Sequence, residues 1–166
     1  MNPKDTTSTE MAAFDGGALA VELFDALRAQ TSDTAGVTRE SFATGEEDAI
    51  AIVREAAESH GLTAEMDAAA NLVVSLPGRE TETPFVACGS HLDSVTQGGN
   101  FDGAAGVIAG LICLSRINAE AVAPRKNVKL VVLRGEESAW YGKACVGSHA
   151  LFGTLTPEDL ASVHRR

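Results

Sequence analysis

The sequence of 166 residues is long enough for one domain with its own hydrophobic core. A hydrophobic content of 45% and a charged content of 22% are ordinary for a soluble globular protein, and the net charge of −10 argues against nucleic acid or an anionic membrane as a partner. Residues 1–14 lack the apolar region of a secretory signal, so we expect a flexible N-terminus there and a cytoplasmic location.

Two amphipathic helices are predicted first along the chain. Apolar residues recur at helical spacing over 17–30 and again after Thr44. The letters T-G-E-E, from Thr44 to Glu47, predict a capping box in which the threonine hydroxyl accepts a hydrogen bond from the Glu47 amide. Gly61 is the expected stop of the second helix, because glycine adopts the left-handed conformation without strain.

Strands and one further helix follow. Residues 71–76 (N-L-V-V-S-L) and 128–133 (V-K-L-V-V-L) are rich in strand formers. The run 84–88 (P-F-V-A-C) predicts a buried strand with functional residues at its carboxyl end. Residues 104–117 are apolar on nearly all sides, which predicts a buried helix packed on the sheet. The order predicts an α/β domain with a mixed or mostly parallel sheet flanked by helices.

Polar residues follow two of these strands, where α/β folds place their sites. The first cluster is G-S-H-L-D followed by G-G-N-F-D-G, and the second is G-E-E. Within them, His91, Asp102 and Glu137 supply the imidazole and carboxylate ligands that Zn, Mn, Co or Ni accept. Asp93 lies two residues after His91 and can hold the histidine ring.

Each piece alone is compatible with a structural role. A histidine after a strand commonly caps or hydrogen-bonds, G-G-N-F-D-G commonly forms a turn, and adjacent glutamates usually lie in a solvated loop. Their combination after apolar strands favours a metal site. A Cys–His enzyme built on Cys145 and His149 is not favoured, because nothing marks a nucleophile environment. Cys88, Cys113 and Cys145 are predicted to be buried free thiols.

Three segments carry a resemblance to a known family: G-S-H-L-D-S-V, G-G-N-F-D-G-A-A-G-V and G-E-E-S-A-W-Y-G-K-A-C-V-G-S. They resemble the metal-dependent amidohydrolases of the M20 peptidase superfamily. More narrowly, they are similar to the hydantoinase/carbamoylase branch of N-carbamoyl-L-amino-acid hydrolases, β-ureidopropionases and allantoate amidohydrolases. The resemblance runs from G-V-T-R at 36–39 to Gly153. Ala70 departs from it where the family usually has glycine, and Tyr141 stands where phenylalanine is common.

The resemblance implies a di-metal amidohydrolase and a role for each site residue. By resemblance, His91 binds one metal, Asp102 bridges both and Glu137 binds the second. Glu136 matches the general base, and Asp93 matches the aspartate that supports the histidine. Two divalent ions (Zn, Mn, Co or Ni) in such a site activate water and polarise the carbonyl of a small amide or ureido substrate.

The resemblance also implies parts that this chain does not contain. Family members are more than twice as long and have a second, lid-like domain for dimerisation and for binding the substrate carboxylate. They also have two further histidine ligands, which His60, His149 (expected in a strand or loop) and His164 do not match. A predicted helix start, T-P-E-D, lies close to the last residue. We therefore expect residues 15–166 to be the N-terminal part of the catalytic domain, with weak metal occupancy, little activity alone and an exposed apolar sheet edge.

Three functional hypotheses stay open at this point. The first is a hydrolase that cleaves a carbon–nitrogen bond in an N-carbamoyl-amino-acid or allantoate-like small molecule. The second keeps the metal machinery but acts as an aminoacylase- or dipeptidase-like hydrolase. The third is an inactive remnant that serves as a binding or assembly module, which the missing ligands favour for the chain as it stands.

Overall fold

The structure is a computed structural model that describes residues 14–80 and 84–161. The predicted flexible N-terminus at 1–14 lies, apart from Phe14, outside the described residues, and so does His164. Within the described part of the chain, no helix is both long and apolar enough to cross a membrane.

The described elements follow the predicted order of two helices, then strands, a helix and a further strand, and three short helices come after them. The helices are α1 (Gly16–Thr31), α2 (Thr44–Ser59), α3 (Ala104–Ala119), α4 (Ser138–Tyr141), α5 (Val146–Leu151) and α6 (Pro157–Leu160). The strands are β1 (Thr63–Met66), β2 (Leu72–Leu76), β3 (Val86–His91) and β4 (Val128–Leu133). His149 therefore lies in helix α5 and not in the predicted strand or loop.

The four strands form one mixed sheet in the order β1-β2-β4-β3. Strand β2 pairs antiparallel with β1 and with β4, whereas β3 and β4 are parallel. In the parallel register His91 pairs with Leu133. Because the two strands end side by side, the residues that follow each of them emerge at the same edge of the sheet.

The hydrophobic core lies between this sheet and the three long helices. Every second residue of β2 is buried, as expected for a strand with one face on the core. Its side chains pack with those of the neighbouring strand and helices, and the fully buried members include Leu27, Val53, Leu72, Val74, Leu111, Leu114, Leu130 and Val132.

Three predictions about burial are wrong for strand β3, helix α3 and the cysteine thiols. The strand at β3 is not buried: its residues from Val86 to Gly89 are exposed, because β3 is the edge strand of the described sheet. Helix α3 is not covered on all sides, since Ala105, Ala109 and Cys113 face outward. The thiols of Cys88 and Cys113 are exposed on these same outward faces, and that of Cys145 is half-buried. The predicted exposed apolar edge is confirmed at Phe85 and Val86.

Both predicted helix starts are present, but one is capped differently. Helix α6 has the capping box of Thr156 and Asp159. The capping box predicted for Thr44 is wrong, because Thr44 is already helical and no side chain caps α2 through the N-cap residue. Instead, the Phe42 amide donates to Glu46 Oε2 at 2.7 Å. Gly61 ends α2 with a positive φ of 73°, as predicted.

Candidate metal centre

The two polar clusters meet at the carboxyl ends of β3 and β4. One ligand atom from each of His91, Asp102 and Glu137 lies within 4.8 Å of the others. The parallel pairing of the two strands produces this meeting, because His91 ends β3 while Glu137 follows β4 by four residues. The structure therefore brings together the three residues for which the sequence predicts metal binding; the separate role of each stays a prediction.

The carboxylate of Asp93 connects the two clusters. It is fully buried, and its Oδ2 accepts hydrogen bonds from Ser41 Oγ and from the Glu137 amide, the latter at 2.9 Å. Its Oδ1 accepts from the Glu136 amide at 3.1 Å and lies 3.2 Å from His91 Nδ1. A single side chain thus fixes the histidine ring and the backbone that carries both glutamates.

Asp93 also determines which nitrogen of His91 can bind a metal. His91 Nδ1 lies 3.0 Å from the Asp93 carbonyl oxygen and 3.2 Å from its carboxylate, so this nitrogen carries the proton. The lone pair of Nε2 is then available to a metal ion. Burial alone would lower the pKa of His91, but the hydrogen bonds and negative charge of Asp93 and the charge of Glu136 outweigh burial and raise it.

Negative charge accumulates at the site. Burial raises the pKa of Glu137, and the negative charges of Asp102, Glu136 and Asp93 raise it further. For Asp93, burial opposes ionisation, but hydrogen bonds from His91, from the Ser41 hydroxyl and from both glutamate amides outweigh it and lower the pKa. A divalent cation would offset this mutual repulsion, since it binds carboxylates in their ionised form.

The turn before α3 brings Asp102 close to the histidine. Gly103 has a positive φ of 62°, and a Cβ on it would lie 2.6 Å from Cε1 and Nδ1 of the His91 ring. Both observations require glycine at this position. Helix α3 begins at the next residue, and the exposed ring of Phe101 packs edge-on against Phe24 with ring centres 4.7 Å apart.

A buried ion pair supports the glutamate loop from behind, and sequence reasoning missed it. Arg134 Nε donates to Glu46 Oε2 at 2.8 Å, and the Gly135 amide donates to Glu46 Oε1 at 2.9 Å. The Arg134 amide donates to Asn71 Oδ1 at 3.0 Å. Burial raises the pKa of Glu46, although Arg134 and the amides act in the opposite direction. No local pattern distinguishes Glu46, because a glutamate is common in the first turn of a helix.

Arg39 was likewise missed as a site residue. Its side chain is fully buried, and its Nε donates to the Leu92 carbonyl oxygen. Its Nη1 donates to Asn100 Oδ1 at 3.3 Å, and its Nη2 reaches the Asp102 carbonyl oxygen at 3.4 Å. The available signal was the G-V-T-R segment at which the family resemblance begins.

The alternative of a Cys–His pair does not fit the geometry. His149 Nδ1 lies 2.7 Å from Thr154 Oγ1, and the Cys145 thiol points to Glu136 Oε1 at 3.6 Å. Burial raises the pKa of Cys145, and the nearby carboxylate of Glu136 raises it further, so the thiol stays protonated at neutral pH. Cys145 is therefore a hydrogen-bond donor to Glu136 and not an activated nucleophile.

The donor set suits divalent transition metals, which imidazole and carboxylates bind together. Ligand atoms about 2.1 Å from one ion lie no more than about 4.2 Å apart. A spread of up to 4.8 Å therefore fits two neighbouring ions, or one ion after a small closure. The part of the chain described by the structure holds no second group of three such residues. His60, at the end of α2, instead has its Nδ1 2.8 Å from the Ala56 carbonyl oxygen.

Comparison with known proteins gives consistent matches. The family described as Peptidase family M28 matches residues 71–164. An N-carbamoyl-L-amino acid amidohydrolase of Geobacillus stearothermophilus is 39% identical over 125 residues, which is 75% of this chain and 31% of the relative. An allantoate amidohydrolase of Bacillus subtilis is 32% identical over 75% of this chain and 30% of its own length.

The fold agrees with the same group. A hydantoinase/carbamoylase family amidase from Burkholderia ambifaria superposes with a TM-score of 0.82 at 30% identity, covering 92% of this chain and 37% of that one. The chain spans about a third of the length of the curated relatives it matches. From the M28 match and the similarity to these amidases, we conclude that the chain belongs to the M28/M20-like hydantoinase/carbamoylase family.

Proposed function

We propose that this chain forms the metal-binding part of a hydrolase that cleaves a carbon–nitrogen bond in an N-carbamoyl-amino-acid or allantoate-like small molecule. The observation that carries the proposal is the Asp93 carboxylate, which binds the His91 ring and the amides of both glutamates at the meeting point of the two clusters. The names of the relatives, N-carbamoyl-L-amino acid amidohydrolase and allantoate amidohydrolase, support the substrate class.

The residues that would hold the metal ions are His91, Asp102 and Glu137. His91 would bind through Nε2, because Nδ1 is engaged by Asp93. Asp102, exposed at the turn before α3, would supply the carboxylate shared by both ions, and Glu137 would bind the second. Bound there, Zn, Mn, Co or Ni would lower the pKa of a water and polarise the scissile carbonyl.

Glu136 is the residue of this chain that would move the proton. Its Oε2 lies 3.8 Å from His91 Nε2, so it borders the ligand set without belonging to it. The Cys145 thiol donates to Oε1 and thereby orients the carboxylate. In this position Glu136 can accept a proton from the attacking water and deliver it to the leaving nitrogen. Asp93 stays ionised, since its pKa is lowered, and keeps the histidine in the required tautomer.

Binding of metal without turnover is the second candidate for this chain by itself. The described residues supply three ligands, and the chain spans about a third of the length of its relatives. A site with an incomplete set of protein ligands leaves more positions to water and binds its ion less tightly. We propose weak binding of divalent metal and little hydrolysis by the 166-residue chain.

The test is metal analysis of the purified 166-residue chain and three variants after equilibration with Zn²⁺ or Co²⁺. We expect His91→Ala and Glu137→Gln to lose the ion. Glu136→Gln keeps the ion and abolishes any slow hydrolysis of an N-carbamoyl amino acid. Asp25→Asn, on the exposed face of α1, is the matched control and changes neither.

Two results would contradict the proposed ligand and base roles. Loss of metal from Glu136→Gln would mean that Glu136 is a metal ligand and not the general base. Equal metal content in His91→Ala and the unaltered chain would place the ion elsewhere. Rapid hydrolysis by the unaltered chain would refute the weak site but not the reaction class.

A further inference from the structure

Arg39 is the largest fully buried side chain in the described part of the protein. It lies in the loop between α1 and α2, outside both polar clusters. Its backbone is tied to the segment after β3, because its amide donates to Ser94 Oγ at 3.0 Å and its carbonyl accepts from the Ser94 amide at 2.9 Å. The loop therefore delivers a guanidinium group into the region beneath the candidate metal centre.

The guanidinium joins the two segments that carry ligands. On one side, Nε donates to the carbonyl oxygen of Leu92, the residue after His91. On the other side, Nη1 donates to Asn100 Oδ1 at 3.3 Å, and Nη2 reaches the carbonyl oxygens of Asn100 and Asp102, each at 3.4 Å. One rigid planar group thus spans from the segment that carries His91 to the backbone of Asp102.

The acceptors of this buried cation are neutral carbonyl and amide oxygens. Removing a guanidinium from water costs several kcal/mol, and neutral acceptors offset only part of that cost. The carboxylates of Asp93 and Asp102 attract the cation electrostatically. Burial is the larger effect and lowers the pKa of Arg39, and the negative charge of the site offsets part of this cost.

We propose that Arg39 is a positioning residue of the metal centre, which fixes the separation of His91 from Asp102 by clamping the backbone on both sides. The inference rests on the proposed metal site. Lysine cannot replace the clamp, because its ammonium is a point charge and lacks the planar fork that reaches several acceptors at once. The positive charge beneath the site also limits repulsion among the carboxylates before an ion binds.

The experiment compares Arg39→Lys and Arg39→Met with the unaltered 166-residue chain. We expect both variants to bind Zn²⁺ about 10- to 100-fold more weakly in competition with a chromophoric chelator, as for other residues that orient ligands. The absorption spectrum of bound Co²⁺ should change, since it reports ligand geometry. Val53→Ala, in the buried part of α2, is the control: it lowers stability but leaves affinity and spectrum unchanged.

A second readout, hydrogen exchange of the metal-free chain, separates failure of this inference from failure of the proposed function. Faster exchange over 91–94 and 98–104 is expected in Arg39→Lys but not in Val53→Ala. Absence of metal binding by the unaltered chain would refute the proposed function, while exchange still decides whether Arg39 holds the two segments. Unaltered affinity, spectrum and exchange in Arg39→Lys would overturn the inference.

If neither Arg39 variant folds, Asn100→Ala provides the test. This variant removes one acceptor of the Arg39 guanidinium, and an unchanged affinity for Zn²⁺ would also overturn the inference.

Discussion

The carboxyl ends of β3 and β4 differ from the outer edge formed by the start of β3 and the outward face of α3. At the strand ends, Asp93 and Arg39 are fully buried and each makes several hydrogen bonds. At the outer edge, apolar Val86 is 54% exposed and Cys113 faces outward. Buried polar groups and exposed apolar groups are the informative exceptions to ordinary burial. Val86 begins β3 and Asp93 follows its last residue by two positions, so one strand connects the two regions.

The two regions should differ in how strongly a substitution affects the stability of the fold. Each buried polar group at the strand ends is held by partners from other segments, so removal of one leaves donors or acceptors unpaired in a low-dielectric region. At the outer edge, side chains lose little on substitution, because water already reaches them. We therefore expect the free energy of unfolding to respond strongly at the site and weakly at the edge.

The largest effect is expected from Asp93→Asn. The amide keeps the shape but loses the charge, and its NH2 group replaces one of the two oxygens that accept from the Glu136 and Glu137 amides. One backbone amide then loses its acceptor, so the free energy of unfolding should fall by about 3 kcal/mol. Chemical denaturation measures it. Asp25→Asn, on the exposed face of α1, should change the same quantity by less than about 0.5 kcal/mol. Equal effects of the two variants would show that the Asp93 network does not support the fold.

A pair of glycines gives the next largest contrast. Gly103→Ala places a Cβ 2.5 Å from the His91 carbonyl oxygen at a positive φ, and should lower the free energy of unfolding by about 2–3 kcal/mol. Gly153 has nearly the same φ, 64°, but no atom within 4 Å of its added Cβ. Gly153→Ala isolates the backbone strain, about 1 kcal/mol. Thermal unfolding of both variants gives the difference, which is the cost of the contact with His91. Similar melting temperatures would mean that the turn relaxes freely.

Sequence pattern predicted the elements of the fold but not their burial. The strand at 128–133 and the three long helices follow from periodicity that is local in the chain. Whether β3 is central or at an edge depends on which strands pair beside it, and the letters P-F-V-A-C are compatible with both. The outward position of Cys88 follows from the same pairing, so the expectation of a buried thiol failed together with that of a buried strand.

The sequence predicted those site residues whose side-chain type is itself suited to binding metal. His91, Asp102 and Glu137 were identified because imidazole and carboxylates after strands are typical of metal sites. Arg39 and Glu46 act through contacts with residues about 50 to 90 positions away, and no local spacing encodes such contacts. The predicted helix cap used Thr44 and Glu47, whereas the neighbouring Glu46 is the glutamate that is buried and paired with Arg134.

A smaller effect is expected when the stability difference between the unaltered chain and Asp93→Asn is followed with pH. Because the pKa of Asp93 is lowered in the folded state, its ionised form contributes stability above its ordinary pKa of 3.8. This contribution is lost as pH falls through the lower folded value. The difference between the two proteins should therefore be constant from pH 6 to 5 and shrink below 3.8. A difference independent of pH down to 2 would contradict the assigned charge.

The last contrast applies the same substitution, Val→Thr, to both regions of the molecule. Val→Thr keeps the side-chain shape but replaces one methyl group with a hydroxyl, which costs about 1–3 kcal/mol where no hydrogen-bond partner is available and almost nothing in water. Val74 in β2 is fully buried, whereas Val86 in β3 is 54% exposed. We expect Val74→Thr to lower the free energy of unfolding by about 2 kcal/mol and Val86→Thr by less than about 0.5 kcal/mol. A large loss from Val86→Thr would mean that another surface covers this edge in solution, and the contrast between edge and site would then disappear.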